Sequence, residues 1–112
     1  MNIQNLRDFC LSLPGATEDV KWGNDLCFSV GGKMFCVTGF EPGSSVSLKV
    51  PDEEFTSLCE TGNIAPAAYV GRYKWISVSA PDRFSDDEWR HYIRQSYRLI
   101  VSKLPKNRRP AN

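Results

Sequence analysis

Histidine is almost missing from this chain: His91 is the only one in 112 residues. Cysteine is present four times, as Cys10, Cys27, Cys36 and Cys59, but no two of these form a C-x-x-C pair. A metal centre needs several ligands at workable spacings, so neither residue type offers one. Nor does any apolar run approach the ~20 residues that span a bilayer. The first stretch, "MNIQNLRDFCLSLPG", is interrupted by Arg7 and Asp8 and lacks the basic start of a signal peptide. P-loop, nucleophile-elbow and dinucleotide fingerprints are lacking too. A net charge of +1 argues against a strongly electrostatic nucleic-acid binder. These absences lead to the expectation of a cytoplasmic, non-enzymatic protein with no cofactor, no metal and no membrane partner.

What is there fits one soluble domain. A chain of this length buries about two-thirds of the surface its unfolded form exposes, enough for a core without staples. The cysteines all sit in apolar segments, where reduced thiols act as small hydrophobes, and four free thiols are expected. His91, between Arg90 and Tyr92, reads as a solvated surface residue. Charge is unevenly placed: residues 1–56 carry four cations against eight carboxylates, and residues 57–112 carry ten against five. The positive end is C-terminal.

Helical spacing of Ile3, Leu6, Cys10 and Leu13 predicts a first helix, stopped by Leu13-Pro14-Gly15. Strand-like segments follow, "DVKW", "LCFSV", "KMFCVTGF" and "SVSLKV", each bounded by turn formers. Gly31-Gly32 between two alternating runs predicts a hairpin. A second helix starts near Pro51, with Asp52, Glu53 and Glu54 at its positive dipole end. After a Pro-Ala loop comes a strand over 73–79. Ser85 and Glu88 form a capping box for the last helix, and Phe84 can staple onto Trp89. Trp89, Ile93, Tyr97, Ile100 and Leu104 make its apolar stripe. The expected class is α+β: a two-layer domain over 1–105, with helices on one face of an antiparallel sheet, in the order helix, three or four strands, helix, one or two strands, helix. Residues 106–112 read as a basic flexible tail.

Alternation divides the strands into two faces. Val46, Leu48, Val50, Ile76 and Val78 belong to the core side. Ser29, Ser47, Lys49, Tyr73, Trp75 and Ser77 group on the other, which must meet water or a partner.

Several segments together resemble the MmcQ/YjbR family of small bacterial proteins: "LPGATED.KWG" (13–23), "FSVGGKMFC" (28–36), "SLKVPDEEF" (47–55), "YKWISV" (73–78) and "SYRLIVSKLPK" (96–106). The resemblance implies a CyaY-like or secretion-chaperone-like α+β fold and DNA binding through a "double wing". It marks Trp22, Lys33, Lys49, Lys74, Trp75, Ser96 and Tyr97 as the family's patterned residues. Many members read histidine-tryptophan where this chain has Lys74-Trp75, so a role resting on that histidine has no residue here.

Two functions follow as expectations. One is modest, salt-sensitive DNA binding, with Lys33, Lys49, Arg72 and Lys74 on phosphates, Trp22, Tyr73 and Trp75 beside them, and Arg90, Arg94 and Arg98 as a basic stripe on the last helix. The other is a protein-interaction or chaperone-like module that uses, or dimerises through, the open sheet face.

Overall fold

Asn2 starts the first helix by accepting the Asn5 N–H on its side chain at 2.8 Å, and α1 runs Ile3–Ser12 until Pro14 follows its cap. The computed structural model describes residues 1–68 and 70–110, with Arg72 described by its backbone alone. Next comes a four-strand meander: β1 (Thr17–Lys21), β2 (Asp25–Val30), β3 (Lys33–Gly39) and β4 (Val46–Lys49). Helix α2 (Asp52–Cys59) then leads into β5 (Ile64–Pro66) and β6 (Trp75–Val78), and α3 spans Asp86–Ser102. All pairings are antiparallel and the strand order is β1-β2-β3-β4-β6-β5. The two edges are therefore β1 and β5.

Gly31 and Gly32 form the β2–β3 turn with φ of 57° and 83°, the left-handed region that glycine enters without strain. Gly31 is also needed for space. A Cβ there would stand 2.6 Å from Leu104 Cδ1 and 2.8 Å from the Arg108 carbonyl oxygen.

Register puts Leu26, Phe28, Cys36, Val46, Leu48, Ile76 and Val78 on one face, where they are buried beneath the helices. Leu6 and Cys10 of α1, Trp89 and Ile93 of α3, and the flank of α2 at Phe55 and Leu58 complete a single core. The other face carries the row Asp19, Cys27, Val37, Ser47, Ser77 and Ala65 across all six strands. All four cysteines are free thiols.

α3 begins as its capping box requires. Ser85 Oγ accepts the Glu88 N–H at 3.1 Å, and Glu88 accepts the Ser85 N–H at 2.9 Å. Phe84 meets Trp89 edge-on, with ring centroids 5.0 Å apart. Ser85→Ala should cost about 1 kcal/mol in denaturant unfolding, and an unchanged midpoint would mean the cap contributes nothing.

α3 is tied to the sheet at a β-bulge. The β2–β3 register passes from Phe28↔Cys36 to Ser29↔Met34, leaving Phe35 without a ladder partner. Ser96, fully buried, donates its hydroxyl to the Phe35 carbonyl at 2.6 Å and accepts the Lys49 N–H at 3.0 Å. One hydroxyl thus satisfies backbone groups on β3 and β4. Nearby, Tyr97 packs edge-on against Phe35 and donates its hydroxyl to the Pro14 carbonyl.

Two expectations need correction. The strand expected over 73–79 begins at Trp75, because Gly71–Tyr73 form a 3-10 turn and Lys74 takes a left-handed conformation with φ 66°. The stretch expected as a tail instead packs on the body as far as it is described. Lys106–Arg108 form a 3-10 turn, Arg109 Nε donates to the Leu104 carbonyl at 2.9 Å, and Pro110 lies against Gly15.

Candidate nucleic-acid interface

Lys49 ends β4 and Trp75 starts β6, and the two are direct register partners. They share one face of the sheet, as alternation grouped them. Their depth is the surprise. Lys49 is 8% exposed and Trp75 7%, so neither stands on an open surface. The connection before β6 folds back beside it, with the Ala67 N–H donating to the Trp75 carbonyl at 3.0 Å. Lys49 and Trp75 instead line a groove of about 510 Å³ at this end of the sheet, with Lys33, Val70, Tyr73 and Lys103. Met34, Ile100 and Leu104 supply its remaining apolar wall.

The Lys49 ammonium donates to the Tyr73 carbonyl, which uses one of its three N–H groups. Among the described residues no carboxylate lies within ion-pair distance of it. Burial holds its pKa below the ordinary lysine value, the charges of Lys103 and Lys74 push the same way, and Asp52 opposes them. A buried cation repelled by its neighbours is the electrostatic state that an anion relieves.

Tyr73 also lines the groove and is 54% exposed. Lys33, just past the Gly31-Gly32 turn, is exposed. The described lining residues include no Asp or Glu. The groove can therefore take a phosphate among Lys33, Lys49 and Lys103 and offer an aromatic surface to what is attached to it.

The other expected residues are elsewhere. Trp22 is 71% exposed with φ 53°, in the β1–β2 turn, at the opposite end of β2 from Gly31-Gly32. Lys74 faces α2, its ammonium 5.0 Å from the centre of the Phe55 ring. Arg90 pairs with Asp87 at 2.8 Å, and Arg94 stacks over Phe9. Arg94 and Arg98 line a second, smaller depression of about 330 Å³ along α3, with His91 and Gln95. The Arg72 side chain lies outside the described residues. Lys103 was missed from the sequence. It lies one position from Leu104 of the apolar stripe, a place that looks like an ordinary solvated helix end.

Fold and groove define the class: a small two-layer α+β protein with a lysine-lined, aromatic-rimmed cleft where its central strands end. The chain belongs to the YjbR family, whose model matches residues 11–99. It is similar to the crystal structure of the Deinococcus radiodurans protein DR2400, which carries the DUF419 domain, with 26% identity and a TM-score of 0.83 over 95% of this chain and 83% of that one. A Pseudomonas syringae protein shares the fold, with 22% identity and a TM-score of 0.71 over 88% of this chain and 98% of the other. No curated protein matches. Among the described residues, no helix is long and apolar enough to cross a membrane.

Proposed function

We propose that this protein binds DNA, and single strands in preference to duplex, through the groove at the end of its sheet. The observation that carries the reading is the convergence of Lys33, Lys49 and Lys103 with Tyr73 in a cleft whose described lining has no carboxylate. Lysines hold phosphates as point charges, and an exposed tyrosine ring stacks on a base of any identity. A duplex does not present its base faces, so the rim tyrosine favours an unpaired strand.

The test is a titration with single- and double-stranded oligonucleotides at low and physiological salt. Single-strand affinity should fall steeply as salt rises, because phosphate contacts release counterions. Lys103→Ala should reduce the slope of log affinity against log salt by about one, as one lost phosphate contact does. Tyr73→Ala should weaken single-strand binding by about 1 kcal/mol and leave the slope alone. Binding that is absent at low salt, or indifferent to both variants, ends this reading.

A second reading, contact with another protein, has its own observation at the other end of the molecule. Val20 and Phe40, both half-exposed, line one depression with Ile3 and Leu26, bordered by Gln4, Arg7, Glu18 and Asp19. An apolar contact of that kind persists at high salt, which separates it from the first reading.

A further inference from the structure

We infer that the groove selects a strand end carrying a terminal phosphate monoester, rather than a phosphodiester within a chain. This rests on the nucleic-acid reading above and adds to it the chemical form of the anion.

Charge is the first reason. Lys33, Lys49 and Lys103 line one cleft, and Lys74 lies near enough for its charge to be felt at Lys49. A phosphodiester brings one negative charge to these cations. A monoester near neutral pH brings close to two, since its second ionisation falls near pH ~6. The second charge counts most where water is scarce, and Lys49 is nine-tenths buried.

Depth is the second reason. An internal phosphate has a nucleoside on each side, and both must pass the rim to let the phosphate reach the Lys49 ammonium. The groove is bounded by the Val70 and Tyr73 connection on one side and by Lys103 and Leu104 on the other. A terminal phosphate has one attachment and three unesterified oxygens. It can descend to Lys49 with its single nucleoside left at the rim, beside Tyr73. Beyond the rim, the Arg108 guanidinium, which reaches the Gly32 turn, continues the basic surface along which the next phosphate can lie.

The experiment compares a short oligothymidylate in three forms, with a 5′-phosphate, with a 3′-phosphate and with hydroxyls at both ends, alongside thymidine monophosphate. Affinities are read by anisotropy competition at one low salt concentration. At least one phosphorylated end should bind about tenfold or more tighter than the hydroxyl-ended strand, and tighter than the mononucleotide. Lys49→Met should erase that preference. Lys103→Ala, at an exposed position, should reduce it and serves if the Lys49 variant fails to fold. Equal binding of all three strands overturns the end-specific inference and leaves DNA binding standing. Mononucleotide binding as tight as that of the phosphorylated strand also overturns it, making the ligand a small phosphate ester. No binding of any strand removes both.

Discussion

Ser96→Ala should lower the free energy of unfolding by about 2–3 kcal/mol, out of proportion to one oxygen atom. The hydroxyl is fully buried and serves two backbone groups at once, the Phe35 carbonyl at 2.6 Å and the Lys49 N–H at 3.0 Å. Alanine leaves both without this partner inside the core, and each stranded group costs about 1–3 kcal/mol. For a domain of this size the melting temperature should fall by roughly 10–20 °C. Thermal melts followed by circular dichroism check this, and a variant melting alongside the parent would sink it. Ser96→Thr keeps the hydroxyl but adds a methyl to a packed site, so it should fall between the two.

The opposite sign is expected at Lys49. Lys49→Met should stabilise the fold by about 0.5–2 kcal/mol while removing about 1.5–3 kcal/mol of affinity for a phosphorylated strand. Methionine fills much of the same volume without a charge to desolvate, a gain that outweighs the lost donor to the Tyr73 carbonyl, and replacing buried charge with apolar side chains is often stabilising. The pH dependence gives an independent signature. Because the folded pKa lies below the unfolded one, the unfolded chain binds more protons between the two values. The penalty is therefore complete below the folded pKa and gone above the unfolded one. Parental stability should gain from this residue as pH climbs through that alkaline window, and Lys49→Met should lack the gain. Equal stability of parent and variant at neutral pH, with binding intact, would make Lys49 an ordinary snorkelling lysine.

Much of the fold was legible because its signals are local. Gly31-Gly32 demanded a hairpin, Ser85 and Glu88 demanded a helix start, and Trp89, Ile93 and Tyr97 stand where the stripe placed them. The site was legible only by face. Alternation is a two-valued signal: it tells which side of a sheet a residue occupies and nothing of how deep it lies. Lys49 and Trp75 were assigned to the same face, and they prove to be register partners, yet their burial depends on a connection that folds back through a 3-10 turn. That turn needs Lys74 in a left-handed conformation, which no lysine signals in sequence. Lys103 was invisible for a related reason. It joins the groove only because α3 crosses β3 and β4, and a crossing of distant elements leaves no local pattern. Ser96 was marked by family resemblance alone, since a serine within an amphipathic helix has no periodicity of its own.

The order of the strands also governs how the sheet meets other sheets. An exposed edge is a template on which a neighbour's strand can grow. Here β5 is three residues long and closes on Pro66, which has no N–H to donate and stiffens the rim. The opposite edge, β1, reads Thr-Glu-Asp-Val-Lys, so an incoming strand meets charged side chains at Glu18, Asp19 and Lys21, with Glu18 already clamped by Arg7. Neither border invites continuation. The way its sheet begins and ends disfavours ribbon-like polymerisation of this protein at high concentration.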